Sequence, residues 1–238
     1  MDFSIAQMPT WTIVLFIVFF TTVPAFLLVH VFREAAIVQK QPRLSKSILL
    51  CFVGYLIVVA LITLTGWFAK NTLPPRIIFT TTIPLFLFYS LFVKRAKWFK
   101  TIAPLLALDR LLLFHLFRIV GVFFFIATYY EALPQGFAIM AGTGDVITAL
   151  LTLPLIAAWK RYPTRTKPFV WLWNCFGLLD ILAVVAYALI LSVQALENGS
   201  PGVQQMGTFP FSWIPAFAPA TIVFSHFLIF EKLRITKL

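Results

Sequence analysis

Seven mostly apolar stretches, at residues 10–31, 48–68, 77–93, 111–130, 136–159, 169–193 and 209–230, decide what this chain can fold into. Each holds about 17 to 25 residues, the length at which a helix rising about 1.5 Å per residue crosses a hydrocarbon core roughly 30 Å thick. The stretches are apolar on all sides rather than alternating, and no turn residues recur at strand spacing. A chain in lipid must satisfy its backbone within each segment or by closing a barrel, so this pattern selects helices. The composition agrees, with 61% hydrophobic and 11% charged residues over 238 positions, against about 45–50% and about 25% in soluble domains. The expectation is an all-α polytopic membrane protein, a seven-transmembrane-helix bundle forming one domain over residues 1–238.

A net charge of +11 in a soluble protein would suggest nucleic acid, but here the placement of the charge matters more than its sum. Arg33, Lys40, Arg43 and Lys46 lie between spans one and two, and Lys94, Arg95, Lys97, Lys100 and Arg110 between three and four. Lys160, Arg161, Arg165 and Lys167 lie between five and six, and Lys232, Arg234 and Lys237 in the tail. The other side has only Lys70 and Arg76. Basic loops stay in the cytoplasm, so the N-terminus is expected outside and the C-terminus inside. The basicity then reports topology and contact with the lipid bilayer, and nucleic acid is not expected as a partner. Tryptophans agree, with Trp11, Trp67 and Trp213 at outer ends of spans and Trp98 and Trp159 at inner ends. Asp2 is the only charge before Arg33, so the first span lacks the basic region of a cleavable signal and is expected to remain. Cys51 and Cys175 form no CxxC pair or disulfide framework and read as small core residues. Asn198-Gly199-Ser200 is a glycosylation sequon in an outside loop, without meaning in a bacterial source.

Only three charges fall well inside the spans, Arg118 in the fourth, Asp145 in the fifth and Asp180 in the sixth. At the helical rise they sit roughly 12, 21 and 18 Å above the inner boundary, close enough for an extended arginine to bridge the offset. Each charge at a helix centre costs about 2.5 to 3.5 kcal/mol, so three unpaired ones would approach the whole stability of a domain. Pairing of Arg118 with Asp145, Asp180 or both is therefore expected, in a protein-lined interior. On a helical wheel Asp145 shares its side with Ala138, Ala141, Gly142, Thr148, Ala149 and Thr152, a small-residue stripe that lets helices approach closely. Asp180 shares its side with Trp173, Gly177 and Tyr187, and Arg118 with His115, Gly121 and Tyr129. Asn174 lies about 120° from Asp180 and is left out of the cluster. Two carboxylates against one guanidinium leave a formal charge of minus one, which a proton can cancel; a static salt-bridge lock between three helices explains the same residues.

The segment "AGTGD", residues 141–145, and Pro154 could interrupt the fifth helix at mid-membrane, as in many transporters, although glycine and proline are common in membrane helices anyway. Pro210, Pro215 and Pro219 suggest a kinked outer half of the seventh span. His30, His115 and His226 lie about 3 to 8 Å from the inner boundary, a common depth that a zinc or haem site would need. No i, i+4 pair of histidines and little Glu or Cys support accompanies them, so interfacial or helix-bonding roles compete with metal. A retinal protein is excluded because the first lysine near the last span is Lys232, at its edge. Seven-span zinc hydrolases use a histidine pair in the last span that "FSHFLIFEK" lacks.

The segments "FRIVG" and "LPQGFAIMAGTGD", then "WNCFGLLD" and a proline-rich last span ending "SHFLIFEKLR", resemble a group of uncharacterised bacterial multi-pass integral membrane proteins over about half of the chain. The resemblance implies a bacterial inner membrane location and marks Arg118, Asp145 and Asp180, but carries no activity. Function is read from the residues alone. A transporter or permease is expected, proton-coupled, in which Arg118, Asp145 and Asp180 bind a small solute or proton, supported by His115, Gly142, Thr148 and Tyr187. The competing readings are an intramembrane enzyme or redox subunit holding zinc or haem through His30, His115 and His226, and a structural or sensory subunit. The first and third need no cofactor, and an oligomer is compatible with all three.

Overall fold

The computed structural model describes residues 5–236, which leaves Asp2 and Lys237, both read above for topology, outside the described residues. Among the described residues the chain is helical, with no strand. The long helices are α1 (Thr10–Val38), α2 (Leu44–Leu64), α7 (Gln135–Arg161), α8 (Pro163–Asn198) and α9 (Trp213–Ile235). Between α2 and α7 the chain is more broken. A π-helical turn (Ile78–Thr82), α3 (Ile83–Leu87) and a second π-helical turn (Phe88–Val93) make up one rod. After it come α4 (Lys97–Ile102), then α5 (Leu108–Phe114), a 3₁₀ segment (His115–Gly121) and α6 (Val122–Tyr129) in line. Six helical units are long and apolar enough to cross a membrane, counting Leu108–Tyr129 as one. The count reaches seven if Ile78–Val93, bent by 72° against Lys97–Leu105, is taken with it as a span.

The helices gather around α9, which packs on α2, α3, α5 and α8, while α7 packs on α8 and on the 3₁₀ segment. An interior helix needs its backbone satisfied as well as its side chains, and α9 shows how. Pro219 has no N–H to give to the carbonyl of Pro215, one turn back. Thr82 Oγ1 donates to that carbonyl at 2.6 Å, and Tyr55 OH donates to the carbonyl of Ala216 at 2.8 Å. The Thr82 hydroxyl thus replaces the one donor that the proline removes, the Tyr55 hydroxyl adds a second tie from α2, and α9 runs on unbroken. Gly199, at φ 68°, closes α8 in the left-handed conformation that a Cβ disfavours.

The basic loops meet at one end of the bundle. Arg110 ion-pairs with Glu34 and also meets His30, and Lys94 ion-pairs with Glu231. Lys160 lies 3.2 Å from Asp109, Lys232 donates to the Pro104 carbonyl at 2.6 Å, and Lys167 donates to the Thr236 carbonyl at 2.8 Å. Exposed pairs of this kind contribute about 0–1 kcal/mol each, so they mark the geometry rather than hold it.

The glycines and the proline of the fifth span leave it intact: α7 is continuous through "AGTGD" and Pro154. The change of winding falls in the fourth span, at the 3₁₀ segment around Arg118. Three other expectations need correction. Cys51 and Cys175 are exposed rather than core residues, and Tyr129 is 80% exposed, off the side it was assigned. Trp213 is buried and donates to the Leu56 carbonyl at 3.0 Å instead of sitting in an interfacial belt.

Candidate functional site

The site begins with three-residue periodicity. A 3₁₀ helix has three residues per turn, so side chains at i and i+3 eclipse. His115, Arg118 and Gly121 therefore line up along one side of the segment, and all three are buried. Arg118 is 0% exposed. Opposite it, α7 presents the small-residue stripe, with Ala138, Ala141, Gly142, Asp145, Thr148, Ala149 and Thr152 all buried.

Glycines make the room. A Cβ on Gly121 would stand 2.7 Å from Asp145 Cβ and 3.0 Å from the Gly142 carbonyl oxygen. A Cβ on Gly142 would meet Phe125 and the Gly121 carbonyl. One on Gly144 would overlap the Asp180 carboxylate, and one on Gly177 would stand 3.0 Å from Arg118 Nη1. The 3₁₀ segment, α7 and α8 can converge on a charge cluster only because these four positions lack side chains.

Within that space Arg118 uses all three nitrogens. Nε donates to Asp145 Oδ1 at 2.6 Å, Nη2 to Asp180 Oδ2, and Nη1 to the Gly177 carbonyl at 3.0 Å. Nη1 also faces His226 Nε2 at 3.5 Å. A guanidinium only donates, so that ring nitrogen presents its lone pair, and His226 Nδ1 carries the proton. Asn174 agrees with this tautomer. His226 Nδ1 lies 2.7 Å from Asn174 Oδ1, and Asn174 Nδ2 donates to the His226 carbonyl at 3.1 Å. Asn174 is thus joined to the cluster through α9, contrary to the wheel reading that set it aside.

The expected supporting residues divide. His115 packs its ring 4.3 Å from His226 and 5.0 Å from Trp173, with Nε2 2.7 Å from Ser225 Oγ. Its Nδ1 has no hydrogen-bond partner among the described residues. Thr148 turns its hydroxyl back to the Gly144 carbonyl at 2.8 Å, while its own carbonyl accepts from Trp173 Nε1 at 3.1 Å. Gly142 acts through close approach. Tyr187, two turns beyond Asp180, packs on Phe137 and is not brought to the charges. The three histidines do not form one ligand set. His30 stacks on Phe26 and faces the Arg110 guanidinium, whereas the Nε2 atoms of His115 and His226 are already engaged. Among the described residues no group of three His, Cys, Asp or Glu side chains is arranged to hold a metal ion.

A cavity of about 90 Å³ reaches the cluster from the end of the bundle opposite the basic loops. Lys70, Asn71, Thr72 and Gln204 stand at its mouth, Phe124, Phe137, Ile181 and Ile214 are among its walls, and Asp145 lines its depth. At roughly 15 Å³ per water on this measure, it has room for several waters or a small solute. The Asp145 side chain is 9% exposed and that of Asp180 11%, against 0% for Arg118. The acids are open at their edges, and the base is sealed.

Around a buried, internally paired charge cluster stand six or seven helical units long and apolar enough to cross a membrane, which defines the class as an apolar helical bundle. The chain belongs to the family described as Domain of unknown function (DUF8737), whose model matches residues 74–234. The match takes in Arg118, Asp145, Asn174, Asp180 and His226 and leaves out α1 and α2. No curated protein and no solved structure matches the chain.

Proposed function

We propose that the protein is a proton-coupled transporter or permease for a small solute in a bacterial inner membrane, with its N-terminus and cavity mouth outside. The cavity that reaches Asp145 is the observation that carries this reading. A charge lock needs no open path to solvent, whereas a coupling site does. Arg118 holds both carboxylates in place, and the formal surplus of one negative charge gives Asp145 and Asp180 a reason to take up a proton or a cationic group. The mostly apolar walls, with polar groups at the mouth and depth, favour a compact solute with one polar end.

The test is access followed by flux. In a chain with Cys51 and Cys175 replaced by alanine, a cysteine at Ala218, which lines the cavity, is expected to react with a membrane-impermeant maleimide from outside. Reconstituted vesicles carrying an internal pH dye are then screened with small amphipathic solutes. Wild-type protein is expected to move protons with at least one of them, and Asp145→Asn to abolish the signal while keeping its unfolding temperature. An inert Ala218→Cys, or undiminished proton movement in Asp145→Asn, overturns the reading. The engagement of every Arg118 nitrogen favours a second reading, a structural lock. For a lock, replacing all three charges by leucine is expected to be no worse for folding than replacing one, with function retained.

A further inference from the structure

We infer that the basic end of the bundle is a binding site for an anionic phospholipid, its phosphate held between α4 and α9 and an acyl chain laid along α9. The 72° turn after Val93 carries Lys97–Leu105 across the end of the bundle. Phe99 and Ile102 point inward from it while Lys97 and Lys100 stay exposed, the pattern of an interfacial helix. Beneath it lies a concavity of about 430 Å³ edged by Lys94, Lys100, Lys232 and Arg234. A second, of about 560 Å³, runs deeper past Phe86, Trp171, Phe227 and Phe230. The two share Lys94, Leu228, Glu231 and Arg234, so they adjoin, and together they make a groove whose basic head lies beside an aromatic body.

The charge balance selects the occupant. Four cations face one carboxylate, Glu231, and that carboxylate's partner Lys94 is about half exposed and free to exchange it for phosphate. Lys232 gives one hydrogen bond to the Pro104 carbonyl, and an ammonium has two more N–H groups to offer. The aromatic body gives a free anion nothing to bind, whereas an acyl chain covers it. Basic pockets between membrane helices on the cytoplasmic side suit anionic headgroups in general. The inference rests on the membrane reading and is independent of transport.

Native mass spectrometry of the full chain in detergent, offered equal amounts of phosphatidylglycerol and phosphatidylcholine with matched chains, tests it. Wild-type protein is expected to retain phosphatidylglycerol about tenfold over phosphatidylcholine. The pair Lys232→Gln and Arg234→Gln is expected to remove most of that preference, and the exposed pair Lys40→Gln and Lys46→Gln, at the same end but outside the groove, to leave it intact. Unfolding temperature in a zwitterionic detergent reports folding, and Lys100→Gln alone serves if the double variant does not fold. Equal retention of the two lipids, or equal loss in the control pair, overturns the site. Displacement of the lipid by millimolar inorganic phosphate assigns a free-anion site instead and overturns the lipid. A chain that stays soluble without detergent removes the membrane reading itself, an outcome separate from all of these.

Discussion

The same chemical change, glycine to alanine, is expected to have opposite signs at two places in this chain. At Gly144 a methyl overlaps the Asp180 carboxylate, so Gly144→Ala is expected to destabilise by about 1–3 kcal/mol. At Gly54, in α2, a methyl meets nothing within 4 Å, so Gly54→Ala is expected to stabilise by about 0.4–1 kcal/mol. Unfolding of both variants in one detergent checks the pair, and equal effects would remove the claim that glycines are fitted to the charges. Arg118→Leu strands two acids and is expected to cost about 3–5 kcal/mol, with the same measurement applied. The charged trio was legible in the sequence because hydrocarbon makes any formal charge conspicuous. Asn174 was not, because a wheel drawn on α8 counts angles about one axis, and the partner that engages Asn174 is His226 on α9. His226 was visible only as one of three histidines at a common depth, which concealed that it faces Arg118 and that His30 does not.

Among elements, glycine and proline in a membrane run say little about where a helix breaks, because their neighbours decide what they do. "AGTGD" leaves α7 continuous, since its glycines serve close approach, whereas "HLFRIVG" winds into a 3₁₀ segment that aligns His115 and Arg118. Nothing in the residues 115–121 announced that winding; the three-residue spacing of His115, Arg118 and Gly121 was its one trace. Pro219 gives a test of how a neighbour compensates. Thr82→Val removes the donor to the Pro215 carbonyl and is expected to cost about 1–2 kcal/mol, because that carbonyl is left unpaired inside the bundle. In a Pro219→Ala background the restored N–H supplies the carbonyl, and the same Thr82→Val is expected to cost a few tenths of a kcal/mol. A double-mutant cycle by thermal unfolding measures the difference, and additivity of the two changes would show that the hydroxyl does not stand in for the missing N–H.

At the scale of the molecule, the apolar runs lead to an expectation of seven spans where six or seven helical units are long and apolar enough to cross, and the ambiguity sits at Ile78–Val93. That rod contains two π-helical turns and is continued only by the strongly bent Lys97–Leu105, so length and apolarity alone do not make it a simple crossing. The charge bias was legible because basic residues are scarce in one set of loops, and the basic-rich loops do gather together at the other end. Which end faces the cytoplasm is a property of the bilayer and its insertion, and it is open to a direct test. In the background lacking Cys51 and Cys175, single cysteines replace Lys46, in the first turn of α2, and Asn71, in the loop that follows its far end. An impermeant maleimide applied to intact cells is expected to label Asn71→Cys at once and Lys46→Cys only after permeabilisation. The reverse pattern would turn the cavity mouth toward the cytoplasm and the groove of basic residues toward the outside. Labelling of both residues from one side would mean that α2 does not cross, and the buried position of the Arg118 cluster would then need a solvent other than lipid to explain its pairing.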